Sequence, residues 1–191
     1  MRLNLGCGNV KLPGFVNVDK LAQFQPDELV DLEKLPWPWA DDSVDEVTLS
    51  HVLEQIGAAP ALYLGIMKEL YRVCKDGATV TVIATHPRHD AFLDNPNNVR
   101  PVTVDGLLLF SHAFFRQHRA QGYPDRPLGP ELGIDFTVQN LNIALDEPWH
   151  GKLQRGEISQ ADMQHAVRSY NNVASGITVV MKAVKPAGKA G

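Results

Sequence analysis

Three places in this chain hold residues suited to chemistry. Near the start, "LNLGCGNVKLPGFVNVD" (Leu3 to Asp19) sets Gly6 and Gly8 around Cys7 after a short apolar run, and closes on an acid after a second such run. Glycine lacks a Cβ, so Gly6 and Gly8 permit a sharp turn and a close approach of backbone to ligand. A carboxylate at the end of the next strand, Asp19, could accept two hydrogen bonds from a ribose diol. A tight turn beside a surface aspartate explains the same residues without a ligand. Further on, Ser50 and His51 close an apolar stretch, and histidine titrates near neutral pH, as a general base should. Lastly, "THPRHDAFLDNP" (Thr85–Pro96) gathers His86, Arg88, His89, Asp90 and Asp94. An acid–base or substrate-binding loop fits these residues first, a solvated polar loop next and a metal site last. A catalytic zinc normally takes three protein ligands, and His-x-x-His-Asp offers too few at a recognised spacing, so no metal is expected.

Spacing narrows the choice of ligand. A dinucleotide fingerprint needs Gly-x-Gly-x-x-Gly, a full helix, and an acid about 20 residues on. Here no third glycine is in register, Asp19 lies 13 residues after Gly6, and Pro13-Gly14 interrupts the interval. A pyrophosphate cradle on a long helix, and with it a nicotinamide-dependent oxidoreductase, is disfavoured. A cofactor with a ribose and no phosphates fits better.

The elements that must position these residues can be read coarsely. Leu3–Leu5, Gly14–Asp19, Asp27–Glu33 and Ser43–Val52 read as strands. Pro60 opens a helix in which Leu62, Ile66, Leu70 and Val73 recur at helical spacing, and Asp76-Gly77 supplies a stop. Ala78–Thr85 is a β-branched strand. A second helix is expected from Val104 to about Gln121, then a polar connection from Gly122 to Gly133. Ile134–Leu145 is a strand candidate, Ser159 and Asp162 have capping-box spacing before a helix from about Gln160 to Tyr170, and Gly176–Val184 is the last strand. This order predicts one α/β domain over residues 1–185, with a mainly parallel sheet, an antiparallel C-terminal strand, helices on both faces and a flexible tail from 186 to 191.

Composition agrees with a globular chain: 191 residues, 44% hydrophobic, 21% charged, net charge −4. No basic run suggests a nucleic-acid partner, no apolar run approaches the roughly 20 residues of a membrane span, and "MRLNLG" carries no signal-peptide segment. Cys7 and Cys74 form no CxxC pair, and a cytoplasmic protein with reduced thiols is expected.

The opening stretch resembles the first two motifs of class I S-adenosylmethionine-dependent methyltransferases, in a short-form branch with a reduced first helix. "DLEKLPWPWADDSVDEVTLSHVLEQI" resembles that family's run from the adenine-side acid to its "SHVLEHI" motif. "ELYRVCKDGATVTVIATH" resembles the following helix and strand, so four ordered motifs cover roughly Leu3 to His86. The resemblance implies a Rossmann-like fold, S-adenosylmethionine as cofactor and S-adenosylhomocysteine as product. It implies that Gly6, Cys7 and Gly8 line the methionine and ribose side, with Asn4 in the place of the polar residue before that loop. Asp19 would bind the ribose hydroxyls, Asp31 with Leu32 would approach the adenine, and Ser50 and His51 would lie near the sulfonium. Gln55 stands where the motif commonly has a second histidine, and no chemistry is expected there.

For a reaction of this kind a base is useful rather than obligatory, because orientation alone can contribute about 7–11 kcal/mol. His51, His86 and His89 are the candidate bases, against a purely pocket-shaping role for His51. Arg88, Asp90, Tyr170 and Asn171 are candidate substrate contacts, and Arg88 and Arg100 could hold a carboxylate or phosphate. Phe110, Phe114 and Phe115, and Trp37 with Trp39, read as packing. The expected activity is methyl transfer to an oxygen or nitrogen of a small molecule. A catalytically silent cofactor-binding regulator is the alternative, and an RNA or protein acceptor stays open.

Overall fold

The computed structural model describes residues 1–118 and 128–186. The chain forms one seven-stranded sheet. In sequence order it runs β1 (Arg2–Leu5), β2 (Val16–Asp19), a 3₁₀ turn (Ala22–Phe24), β3 (Glu28–Leu29), β4 (Val44–Ser50), α1 (Pro60–Val73), β5 (Cys74–Thr85), α2 (Asp90–Leu93), α3 (Val104–Leu108), α4 (His112–His118), α5 (Leu128–Leu132), β6 (Phe136–Leu145), α6 (Trp149–Gln154), α7 (Gln160–Ser169) and β7 (Ala174–Ala183). The strand order is β3-β2-β1-β4-β5-β7-β6. β1 to β5 pair in parallel, while β7 runs antiparallel to both β5 and β6. The C-terminal strand is thus the antiparallel one, inserted beside the edge strand β6.

One face of the sheet builds the core. Leu3, Leu5, Val47, Leu49, Val80 and Val82 are wholly buried there, against Ile66, Met67 and Leu70 of α1. Leu107 of α3, Phe110, and the half-buried Leu128 and Leu132 of α5 join the same core, while α6 and α7 pack on one another around a small separate cluster at Met163, Ala166 and Val173. On the opposite side, Asn4, Thr48, Thr81 and Val180 stand in register across β1, β4, β5 and β7.

Several expected bounds shift for local reasons. β5 begins at Cys74, directly after α1, because Cys74 pairs with Val44, and a bulge over Lys75–Ala78 restores register at Glu46–Thr79. The helix expected from Val104 to Gln121 is two helices. Thr103 caps α3 by accepting from the Gly106 N–H at 3.0 Å, and Ser111 accepts from the Phe114 N–H at 3.3 Å to start α4. Between them the Phe110 carbonyl accepts from the Phe136 N–H at 3.0 Å, which turns the chain onto the sheet. Residues 119–121 of that expected helix, residues 122–127 of the connection Gly122–Gly133 and the tail from 187 lie outside the described residues. Ser159 caps α7, accepting from the Asp162 N–H at 3.1 Å, and the Asp162 carboxylate accepts from the Ser159 hydroxyl at 2.6 Å in place of the reciprocal backbone bond of a capping box.

No helix separates β3 from β4. Residues 30–43 instead fold over the core through Trp37 and Trp39, whose rings meet edge-on at 5.7 Å. Their indole N–H groups donate to the Leu32 carbonyl (3.0 Å) and the Glu28 carboxylate (2.9 Å), so both are packing residues, as their place between prolines predicts. Arg72 on α1 fastens this segment. It donates to the Trp37 and Trp39 carbonyls at 3.1 and 2.9 Å and to Glu69 at 2.9 and 2.7 Å, and Glu69 accepts from the Trp37 N–H at 2.6 Å.

The Arg72 hydrogen bond, chiefly, holds the Glu69 carboxyl below its ordinary 4.5. A depressed carboxyl contributes stability that is complete above its unfolded pKa and is lost as pH falls through its folded pKa. Arg72→Ala is therefore expected to destabilise the fold by about 2–3 kcal/mol at neutral pH, the scale of hydrogen bonds to a charged group. The difference from wild type should shrink as pH falls below about 4.5. Urea unfolding of both proteins at pH 7 and pH 3.5 checks this, and a pH-independent difference would count against the role given to the pair.

Candidate active site

Parallel strands are usually joined by a crossover helix of a dozen or more residues. Residues 6–15, between β1 and β2, contain none. Side chains do the work of the missing helix. The Asn4 amide donates to the Val10 carbonyl (2.8 Å) and to Asn17 Oδ1 (2.9 Å), which also accepts from the Leu12 N–H (2.8 Å). The Asn17 amide donates to the Phe15 carbonyl (3.3 Å) and to Asp27 (2.9 Å). The Asn17 backbone N–H, and then its amide, hold the Asp27 carboxyl below its ordinary 3.8. Asp19 closes the loop, accepting from the Gly8 N–H and the Leu21 N–H, both at 2.9 Å.

This bracing leaves the two glycines facing a cavity of about 550 Å³. Gly6 and Gly8 have φ of +65° and +47°, and a Cβ on Gly6 would stand 2.4 Å from Val52 Cγ2. The cavity lies beyond the carboxyl ends of β1, β2 and β4, where open α/β sheets bind ligands. Asp19, Asp31, Leu32 and His51 line it together with Gly6 and Gly8. Three other candidates are not in its wall. Asn4 is buried beneath the loop with both amide N–H groups given away. The Cys7 thiol is buried and receives a hydrogen bond from the Lys11 ammonium at 2.9 Å. Ser50 pairs with Ile83 at the end of β4.

Leu21, Phe24, Val30 and Ile56 give the cavity an apolar side, and Gln55, Pro96, Asn97 and Val99 complete its rim. Sequence reading singled out none of these as cavity lining. An apolar residue every few positions after Asp19 was the only local signal, and the remainder come from segments distant in sequence.

His51 follows β4 with φ +56°, a conformation uncommon outside glycine and one that clusters at functional sites. Its Nδ1 lies 3.2 Å from both Glu54 Oε1 and Thr85 Oγ1, and Glu54 Oε1 accepts from the Thr85 N–H at 3.1 Å. Glu54 is 1% exposed, and its Oε2 is buried without a partner. In the tautomer whose Nδ1–H donates to the Glu54 carboxylate, Nε2 keeps the lone pair. Glu54 was not among the expected site residues; its signal is an acid three positions after His51 in "SHVLEQI".

The cluster at Thr85–Pro96 is organised differently. The His89 Nδ1 accepts from the Ala91 N–H at 3.1 Å, so its Nε2 carries the hydrogen that meets Asp146 at 2.9 Å. Both ring nitrogens are engaged. Asp90 accepts from the Asn172 amide at 2.7 Å, Asn172 Oδ1 accepts from the Asp90 N–H at 2.9 Å, and Arg88 donates to the Arg168 carbonyl. These residues clasp the loop after β5 to the turn before β7. Tyr170 stacks on Trp149 with ring centres 6.4 Å apart, and Asn171 is exposed. None of them, nor His86, lines the cavity. His86 is half-buried, and burial first, then the Arg88 charge, lowers its pKa below 6.5. Among the described residues no three His, Cys, Asp or Glu side chains gather as a metal site requires.

No model of a known protein family matches the chain, and none of the curated proteins does. Solved structures do. An S-adenosylmethionine-dependent methyltransferase from Archaeoglobus fulgidus superposes with a TM-score of 0.61 at 15% identity, covering 95% of this chain and 85% of that one. One from Mesorhizobium loti gives 0.55 at 13% identity over 95% and 89% of the two chains. The [4+2]-cyclase SpnF gives 0.53 at 14% over 98% and 74%. At these identities the likeness establishes the fold, that of the class I methyltransferases, with the Rossmann-like sheet expected from the sequence.

The loop braces generate a direct test. Asn17→Ala strips the Leu12 N–H of its acceptor and Asn4 of its partner, and should destabilise the protein by about 2 kcal/mol, the cost of leaving such groups unmet. Hydrogen exchange at the Leu12 amide should accelerate in step. Unchanged protection at Leu12 would show that the loop holds without Asn17.

Proposed function

We propose that this chain is an S-adenosylmethionine-dependent methyltransferase acting on an oxygen or nitrogen of a small-molecule acceptor in the cytoplasm. One feature carries this function: a single cavity, in a methyltransferase fold, bounded by Gly6, Gly8, Asp19, Asp31 and His51.

The cavity suits that cofactor at both ends. Each Asp19 oxygen accepts one backbone N–H and retains capacity for a further hydrogen bond, as a ribose diol requires. Gly8 has nothing within 4 Å of where a Cβ would stand, so its backbone is open to close approach. Leu21, Phe24, Val30 and Ile56 form an apolar berth for a purine, and Asp31 stands beside it to accept from an exocyclic amine. When bound, S-adenosylmethionine supplies a methyl group made electrophilic by its sulfonium.

The chain's own contribution is orientation and proton handling. His51 Nε2 accepts the proton of the attacking hydroxyl or amine. Glu54 and Thr85, both 3.2 Å from Nδ1, hold the ring and favour the imidazolium that results. A positioned base of this type contributes about 10²–10⁴-fold. His89, expected as a candidate base, and Arg88 and Asp90, expected as substrate contacts, fix the neighbouring loop instead, and the acceptor contacts pass to the rim residues Pro96, Asn97 and Val99.

Calorimetric titration with S-adenosylhomocysteine, with NAD as the control, tests the cofactor assignment. Binding in the micromolar range, about −8 kcal/mol, is expected for the former and none for the latter. Asp19→Asn should weaken it at least tenfold, about 1.4 kcal/mol. A well-folded protein that ignores S-adenosylhomocysteine would end the methyltransferase reading. Once an acceptor is in hand, His51→Ala should lower turnover about 10²-fold or more while cofactor affinity stays constant. Unaltered turnover would remove His51 as the base.

A further inference from the structure

A second cavity, of about 280 Å³, lies between the start of α1 and the Arg100–Phe110 segment. It is close to the small end of the roughly 300–1,000 Å³ typical of ligand sites. Its walls are apolar: Leu64 from α1, Val102, Leu107, Leu109, Phe110 and the ring of Tyr63. One cation enters this wall. The Arg100 guanidinium lies over the Tyr63 ring, 4.1 Å from its centre, and donates to the Gly57 carbonyl at 2.8 Å.

The charge on Arg100 is otherwise unanswered. Among the described residues no carboxylate approaches it within ion-pair distance, although Arg2, Arg72 and Arg155 all have acidic partners. Its Nε–H is buried with no acceptor. A guanidinium carries five N–H donors, and here one is met by a protein acceptor and the buried Nε–H by none. A half-buried cation in apolar surroundings is costly unless paired, and the cation–π contact offsets only part of that cost. Burial pushes the Tyr63 phenol up to about 12, so no phenolate forms beside it at any ordinary pH.

From the cavity, its apolar walls and the unpaired Arg100 we infer that this pocket binds a small monocarboxylate with an apolar body. The carboxylate pairs with Arg100 at the cavity wall, and the body packs against Phe110, Leu107 and Leu64. Inorganic phosphate is a poor match, because the apolar walls cannot solvate a dianion. The site is distinct from the cofactor cavity, with which it shares no lining residue, and does not depend on the methyltransferase reading.

The test uses the full chain and three probes: phenylacetate, its uncharged isostere phenylacetamide, and inorganic phosphate. Amide chemical shifts followed through each titration report both affinity and location. Phenylacetate is expected to saturate at about 1 mM or below, shifting Val102–Leu109, with phenylacetamide and phosphate at least tenfold weaker. Arg100→Gln should weaken phenylacetate at least tenfold. Arg100→Lys retains the charge but loses the planar fork, and should fall between Gln and wild type. Thermal melts confirm that each variant is folded; if Arg100→Gln does not fold, Arg100→Lys and the phenylacetamide comparison decide. No saturable shift with phenylacetate, equal binding of phenylacetamide, equal binding by a folded Arg100 variant, or shifts confined to Gly6–Leu32 would each overturn the inference.

Discussion

The half of this molecule that carries the candidate site depends on one constraint. Three adjacent parallel strands, β1, β2 and β3, are joined without α-helices, and the backbone groups of their connections must still be hydrogen-bonded. Asn4, Asn17, Asp19 and Asp27 meet that requirement from within the strands or just beyond them. Because these side chains hold the loop from below, its glycines remain free above. A helix in the same place would have satisfied its own backbone and needed no such network. The open approach to the glycines at the cavity and the buried asparagine pair are therefore two results of one economy of chain.

The same substitution of side chains for helices recurs between β3 and β4, where Arg72 and Glu69 tie the tryptophan segment to α1. Residues Val30 to Leu32, which wall the apolar side of the cavity, lead directly into that segment. On the other side of the cavity, His51 stands at the end of β4 in a left-handed conformation that its hydrogen bond to the Ile83 carbonyl, 2.8 Å, helps to maintain. The strand on one side and the buried Glu54 carboxylate on the other hold its backbone and its Nδ1, while the rest of the ring is exposed to the cavity.

Polar residues that look equally reactive in the sequence divide sharply once their hydrogen-bonding capacity is counted. His89 has both ring nitrogens engaged, and Asp90 and Arg88 are tied to the turn before β7. His51 has one nitrogen held and one without a protein partner. Arg100 presents the reverse case, a charge with less partnering than its surroundings demand. Residue type alone separates none of these, since each is an ionisable group on an irregular segment.

Local rules were enough to make the sheet and its first motifs legible in the sequence. The alternation of β4 and β5, the helical spacing of α1 after Pro60, the Ser159–Asp162 cap and the Gly6–Gly8–Asp19 spacing all depend on residues close in the chain. So a mainly parallel sheet, its antiparallel last strand and the glycine turn after the first strand followed from the sequence. Only the tertiary structure decided which polar groups face the cavity. Asn4 turned inward because a residue 13 places away, Asn17, was its partner. His89 was withdrawn by Asp146, 57 places away, and Asp90 by Asn172, 82 places away. Such pairings obey no short period, so no pattern within one segment encodes them. They exist only when the strands bring distant hydrogen-bonding groups within 3 Å of one another.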